Sequence, residues 1–191
     1  MIIGIDCDEV LCSTMVELVK YPEFKWTKWN SFYSYTPPKA PWFSMSIEGL
    51  IESYRKLLTG DDFWNIKPVK WALEKIKKLK EKWHELIVVT GRSSYSEERT
   101  KEWVEKNYPN MFSDFVFAGT HTNAQKTKAQ LCEERGVEVI IEDDPYFASN
   151  LSENGIPCIL LNYPWNENFD LKSHKNVKRI NSRDELDESL F

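Results

Sequence analysis

The sequence has no apolar stretch approaching the ~18–20 residues of a membrane span. Its N-terminus, running from Met1 through Ile2 and Ile3 to Asp6, carries neither a basic region nor a signal-like apolar segment. These two absences set the expectation of a soluble, cytoplasmic chain with no membrane partner. No run of lysine or arginine exceeds two residues, basic residues number 25 against 30 acidic ones, and the pI lies near 5.4. A long nucleic-acid track needs a basic footprint that releases counterions, so no extended nucleic acid is expected as a partner. Four cysteines, Cys7, Cys12, Cys132 and Cys158, form no C-x-x-C pair and show no zinc spacing, which makes them buried or incidental thiols. There is no internal repeat and no low-complexity tract. At 191 residues the chain is the size of one domain, or of one core with a modest insertion. Such a length buries about 70% of the unfolded surface and needs no disulfide or metal staple.

What is present is an alternation of short apolar runs with helical patterns. Ile2 to Ile5 is a first strand candidate and stops on Asp6. Leu86-Ile87-Val88-Val89, continuously apolar, has the pattern of a strand buried on both faces and stops on Thr90-Gly91-Arg92. Phe115 to Phe117 ends at Ala118-Gly119, Val137 to Ile141 ends on Glu142-Asp143-Asp144-Pro145, and Cys158 to Leu161 follows Gly155-Ile156-Pro157. Val177 to Ile180 is a candidate edge strand. Val69, Ala72, Leu73, Ile76, Leu79 and Trp83 recur at helical spacing, with Glu74 and Lys78 forming a favourable i,i+4 pair. Further helices are expected over 96–106, 124–135, 146–153 and 183–190. The predicted fold class is α/β, a Rossmann-like parallel sheet of about five strands with helices on both faces.

One segment interrupts this pattern. Between the first strand and the helix beginning near Pro68 lie about 55 residues, against the ~2–6 of an ordinary βα loop. Ser46 to Leu58 is predicted helical, with Ile47, Leu50, Ile51, Tyr54, Leu57 and Leu58 on one face, and the prolines of Thr36-Pro37-Pro38-Lys39-Ala40-Pro41 form a rigid break. Residues 13–67 are therefore expected to be a small, mostly helical cap inserted after the first strand, with 1–12 and 68–191 forming the α/β core. Of the 26 aromatic residues, thirteen fall in residues 21–71 and thirteen in the other 140, so the aromatic excess belongs to the insertion and its junction.

Parallel sheets place their ligands at the carboxyl ends of the strands. Here those ends carry Asp6-Cys7-Asp8, Thr90 and Glu142-Asp143-Asp144, with Lys126 and Lys128 on the helix leading into the fourth strand. Converging carboxylates need a cation, and oxygen ligands of this kind suit Mg²⁺. A hydroxyl and an ammonium add donors for anionic oxygens, a set suited to a phosphoryl group beside Mg²⁺.

The same residues carry a family resemblance. Ile3-Gly4-Ile5-Asp6-Cys7-Asp8-Glu9-Val10-Leu11 resembles the first motif of the haloacid dehalogenase-like hydrolases, an apolar strand followed by D-x-D. Val88-Val89-Thr90-Gly91-Arg92 resembles the second motif, Lys128 with its helix the third, and Ile140-Ile141-Glu142-Asp143 the fourth. The resemblance implies Asp6 as a nucleophile that forms an aspartyl-phosphate, Asp8 as general acid and base, Thr90 as a donor to a phosphoryl oxygen and Lys128 as a charge partner. It implies Mg²⁺ held by the Asp6 carboxylate, the Asp8 backbone carbonyl and Asp143, with Glu142 close by. Thr90 has the alternative role of capping its turn, Lys126 competes with Lys128, and Asp144 is a capping or solvent-facing residue. Glu9 departs from the glycine common in the family's phosphatases.

An insertion between the first and second motifs acts as a substrate-selecting lid in that superfamily, and this one resembles the small helical cap of the 5'(3')-deoxyribonucleotidases. Asp62-Phe63-Trp64-Asn65-Ile66-Lys67-Pro68 is similar to the cap-to-core junction of that group. Gly91 and Arg92 are candidate substrate contacts. Trp26, Trp29, Phe32, Tyr33, Trp42 and Phe43 are candidates either for stacking on a nucleobase, worth roughly 1–3 kcal/mol per base, or for building a miniature core. Cap charge is nearly balanced, seven basic residues against six acidic in 13–67, which favours a small phosphorylated molecule over a polyanion. The expected activity is that of a Mg²⁺-dependent phosphomonoester hydrolase, a nucleotidase or alternatively a phosphatase for another metabolite such as a sugar phosphate. A non-catalytic phosphate-binding relative is the rival of a different class. A receiver domain is disfavoured because the third strand ends in Ala118-Gly119, without an acid.

Overall fold

The computed structural model describes residues 1–24, 47–119, 126–187 and 190. Its frame is a parallel sheet of six strands: β1 (Ile2–Ile5), β2 (Glu85–Thr90), β3 (Asp114–Phe117), β4 (Val139–Glu142), β5 (Cys158–Leu161) and β6 (Val177–Ile180), in the order β3-β2-β1-β4-β5-β6. Val177–Ile180, the candidate edge strand, pairs in parallel with β5 and completes the sheet. β1 lies at its centre, with Ile5 opposite Val88 of β2 on one side and Ile141 of β4 on the other.

Alternation along the strands divides the core in two. Ile3, Ile5, Leu86, Val88, Val139, Ile141, Ile159 and Leu161 face one side, where α3 (Ala72–Glu81) supplies Ile76 and Leu79 and α4 (Glu97–Asn107) supplies Trp103 and Val104. Ile87, Val89, Ile140, Cys158 and Leu160 face the other side, where α5 (Lys128–Glu134) supplies Ala129 and Cys132 and α6 (Pro145–Glu153) supplies Ala148 and Leu151. Each such side chain contributes roughly 1.5–3 kcal/mol by leaving water, so strands apolar on both faces require this double cover. Gly4 shows how tight the centre is, because a Cβ there would meet Val137 Cγ1 at 3.1 Å and Ile140 Cγ1 at 3.2 Å.

The inserted segment contributes α1 (Thr14–Leu18) and α2 (Ile47–Thr59), followed by a 3₁₀ turn at Asp61–Asn65. Met15, Leu18, Leu57, Leu58 and Phe63 belong to the same hydrophobic cluster as the sheet residues Ile3 and Ile5, so this part of the insertion packs continuously onto the core. None of the described helices is long and apolar enough to cross a membrane.

Several boundaries differ from the sequence expectation for local reasons. α5 begins at Lys128, not at 124, because Thr127 forms a capping box: its Oγ1 accepts from Gln130 N at 3.2 Å while Gln130 Oε1 accepts from Thr127 N at 2.9 Å. Trp83, expected on the apolar face of α3, is 94% exposed. The helix stops at Glu81 and Trp83 takes the left-handed position beyond its end, with φ of 63°. Where a helix is expected over 183–190, the described residues show a 3₁₀ turn at Arg183–Glu185 and no α-helix.

Candidate active site

The strand order reverses at β1, between β2 and β4, and the predicted site residues gather at the carboxyl ends of these three strands. Asp6 directly follows β1, Thr90 ends β2, and Glu142 ends β4 with Asp143 next to it. Lys128 opens α5, and its buried ammonium reaches Asp6 Oδ1 at 2.6 Å and Glu142 Oε1 at 2.9 Å. A cation at a helix N-terminus opposes the helix dipole, so this placement depends on the two carboxylates that receive it. Lys126 points away and pairs with Glu134 on the surface, Nζ to Oε1 at 2.6 Å. The structure thus separates the two lysines that the sequence left open.

Asp6, Glu142 and Asp143 each place a carboxylate oxygen within 4.8 Å of the others, and all three are buried. Burial pushes the Asp6 carboxyl up to about 6 although Lys128 pulls the other way. Burial, with the neighbouring carboxylates, also raises Glu142 and Asp143 well above the usual range. Lys128 stays protonated because the pull of Asp6 and Glu142 outweighs the desolvation that disfavours its charge. Two carboxylates therefore share one ammonium, and a third, Asp143, lies beside them. A cluster of hard oxygen donors whose ionisation is held back for want of positive charge fits a divalent cation such as Mg²⁺.

Asp8 has the opposite surroundings. Arg92 grips it in bidentate fashion, Nε to Oδ2 at 3.0 Å and Nη2 to Oδ1 at 2.7 Å. Thr14 donates to Oδ1, and Tyr54 of α2 donates to Oδ2 at 2.5 Å. Burial alone would raise this carboxyl, but the guanidinium and the hydrogen bonds outweigh it and hold Asp8 below the usual value. Arg92 is also the residue expected as a substrate contact. It is 1% exposed, and its remaining nitrogen, Nη1, donates to Thr100 Oγ1 at 2.9 Å, so the guanidinium is spent inside the protein.

Thr90 is fully buried, and its Oγ1 accepts from Arg92 N at 3.2 Å, the turn-capping role; accepting there leaves the hydroxyl proton to be donated elsewhere. Gly91 serves packing: a Cβ there would stand 2.8 Å from the Phe147 ring, and that ring lies 4.4 Å beneath the Lys128 ammonium. Asp144 caps α6, its Oδ1 accepting from Tyr146 N at 2.7 Å. Glu9 takes the left-handed conformation, φ 60°, which glycine adopts at less cost. Its buried carboxylate accepts from Met15 N at 2.7 Å, in the first turn of α1. Trp26, Trp29, Phe32, Tyr33, Trp42 and Phe43 lie outside the described residues.

Sequence reading missed Thr14, Trp165 and Asn166, and placed Tyr54 only on an apolar helix face. Trp165 Nε1 donates to Asp143 Oδ2 at 3.0 Å, and Asn166 Nδ2 to the Asp143 carbonyl at 2.7 Å. The usable signal was the strand-end rule itself, since both residues follow β5 closely.

The parallel sheet, reversing order at β1, with D-x-D directly after the central strand, is similar in fold to haloacid dehalogenase-like hydrolases. Solved structures agree: the chain superposes on a haloacid dehalogenase-like family hydrolase from Streptococcus pneumoniae with a TM-score of 0.66 at 14% identity, covering 94% of this chain and 93% of that one. It superposes on a "predicted phosphatase" from Clostridium acetobutylicum with a TM-score of 0.69 at 17% identity, covering 97% and 95%. Among curated proteins, a "Putative nucleotidase" of Halalkalibacterium halodurans is 31% identical over 138 residues, a match that covers 65% of this chain and 65% of that relative. No family model matches the chain.

Proposed function

We propose that the protein is a Mg²⁺-dependent phosphomonoester hydrolase that works through an aspartyl-phosphate on Asp6 and acts on nucleoside monophosphates. The observation that carries the reading is the buried Lys128 shared by Asp6 and Glu142, beside Asp143. A nucleophilic carboxylate needs one oxygen oriented and the other available. Lys128 holds Asp6 Oδ1 at 2.6 Å, which leaves Oδ2 to attack phosphorus. As the new O–P bond forms, the ester O–P bond breaks and the leaving oxygen takes a proton from Asp8. Water then attacks the aspartyl-phosphate, gives its proton to Asp8, and releases orthophosphate and free Asp6. Thr90 donates its hydroxyl proton to a phosphoryl oxygen, and Lys128 offsets charge on the transferring group. Mg²⁺ held by the Asp6 carboxylate, the Asp8 carbonyl and Asp143, with Glu142 beside them, would supply positive charge to the phosphoryl oxygens.

Asp8 changes partners during this cycle. Its carboxylate is ionised and gripped by Arg92, so before it donates the grip must loosen and the carboxylate must take up a proton from solvent, the proton it then gives to the leaving oxygen and regains from the attacking water. Tyr54, on the inserted helix α2, and Thr14, which opens α1, are the contacts to Asp8 that a movement of the insertion would release. Residues 13–67 on this reading are a cap that both covers the site and touches its acid. The nucleotide preference rests on the resemblance of that cap and on the curated relative's name. A panel of monophosphates tests it: with Mg²⁺, mononucleotides should be hydrolysed faster than sugar phosphates, and the reverse order would move the assignment to a sugar phosphatase.

A further inference from the structure

The segment after β5 plays no part in the steps above, yet it reaches the site from two directions. Trp165, 8% exposed, donates its indole Nε1 to Asp143 Oδ2 at 3.0 Å and to the Asp143 carbonyl at 3.2 Å. Asn166, also buried, donates through Nδ2 to that same carbonyl and to the Leu161 carbonyl, both at 2.7 Å. The Tyr163 ring stacks on Trp165, with centroids 4.3 Å apart and planes 8° from parallel, and its hydroxyl donates to the Glu9 carbonyl at 2.7 Å. From β6, Arg179 anchors the segment by donating to the carbonyls of Asn166 and Glu167.

The chemistry of the indole matters here. It is a donor without an acceptor and carries no charge. An arginine or lysine at this point would also orient Asp143, but it would cancel the negative charge that a divalent cation needs. Indole fixes the carboxylate and leaves its charge intact. Filling the core needs only a ring, and the Asp143 carbonyl alone could satisfy a buried N–H. The shorter contact nevertheless goes to the carboxylate oxygen.

We infer that Trp165, braced by Tyr163 and Asn166, is a positioning residue that orients the Asp143 carboxylate for the divalent cation. Through the Tyr163 bond to Glu9 it also ties Asp143 to the turn that bears the Asp8 carbonyl. The inference rests on the metal-site reading of the preceding subsection. Groups that hold a metal ligand in orientation typically account for roughly ten- to a hundredfold in metal affinity.

The test measures Mg²⁺ affinity of the full chain by calorimetry, with the melting temperature in EDTA taken alongside. The parent should bind Mg²⁺, and Asp143→Asn should lose that binding. Trp165→Phe keeps the ring and removes the N–H; it should bind Mg²⁺ roughly ten- to a hundredfold more weakly while melting in EDTA close to the parent. Combining it with Asp143→Asn should add no further loss. Tyr163→Phe, which keeps the stack and removes only the bond to Glu9, should weaken binding by a smaller factor, and it carries the test should Trp165→Phe fold poorly. Parental Mg²⁺ affinity in both variants overturns the inference while leaving the metal site standing. Weakened binding matched by an equal loss of stability in EDTA overturns it too, as packing alone. A parent that binds no Mg²⁺ overturns the metal site and this inference with it.

Discussion

Asp6 and Asp8 stand two residues apart at the end of one strand, and everything around them differs. Asp6 divides a single ammonium with Glu142, in the company of Asp143, and burial lifts its carboxyl to about 6. Asp8 has the bidentate grip of a guanidinium and hydroxyls from Thr14 and Tyr54, and is held below the ordinary carboxylate value. The first setting is short of positive charge and suits a cation and an attacking carboxylate. The second is balanced and keeps its carboxylate ionised, set to accept a proton. Two carboxylates given different environments can take different tasks, and the environments rather than the residue type assign them.

The contrast can be broken from either side. Lys128→Met should have the largest effect, removing the cation that pairs with Asp6 and Glu142. Leaving buried carboxylates without their partner costs about 3–5 kcal/mol, read by chemical denaturation at pH 7. The loss should shrink at pH 5, where the carboxylates take up protons in place of the ammonium. Arg92→Gln breaks the other half. It should cost about 2–3 kcal/mol at pH 7, since the amide restores some hydrogen bonding but no charge. Because the Asp8 carboxyl is depressed in the folded state, its contribution is present above the ordinary value of 3.8 and is lost as the pH falls through the lowered one. The parent and Arg92→Gln should therefore converge in acid.

Glu9→Gln sharpens the comparison with a smaller change. Burial raises the Glu9 carboxyl from 4.5 to about 8, against the bond it accepts from Met15. The sign is the reverse of Asp8: this group's contribution is full below 4.5 and is lost as the pH rises toward about 8. Glu9→Gln should match the parent near pH 4 and be the more stable of the two at pH 8, by one to a few kcal/mol. Denaturation at the two pH values in EDTA measures it.

The half of the site around Asp6 was readable in the sequence because each member ends an apolar run or starts a helix. Leu86 to Val89 has the pattern of a buried strand, which puts Thr90 at its end, and Ile140-Ile141 places Glu142 in the same way. Asp6, Thr90, Glu142 and Asp143 needed only the rule that strand ends converge. The half around Asp8 was not readable. Arg92 is 84 residues and Tyr54 46 residues away along the chain, and no local pattern says that a guanidinium will turn inward instead of toward a ligand. Tyr54 sits in an apolar helical stripe, where its ring accounts for the pattern and its hydroxyl adds no periodic signal. Trp165 was hidden for a similar reason, since its partner Asp143 lies 22 residues earlier and on another strand end. Trp83 shows the limit from the other side: the spacing was helical, and the helix ended two residues too soon.

The assignment of separate tasks to Asp6 and Asp8 is tested most directly by trapping the enzyme during turnover. Parent, Asp6→Asn and Asp8→Asn proteins are mixed with Mg²⁺ and an aryl phosphate, whose leaving group departs without a proton, then quenched in acid and mapped by mass spectrometry. One phosphoryl group should appear on Asp6, accumulate in Asp8→Asn because hydrolysis then lacks its base, and be absent from Asp6→Asn together with turnover. Phosphorylation of Asp8, or undiminished turnover in Asp6→Asn, would contradict the account.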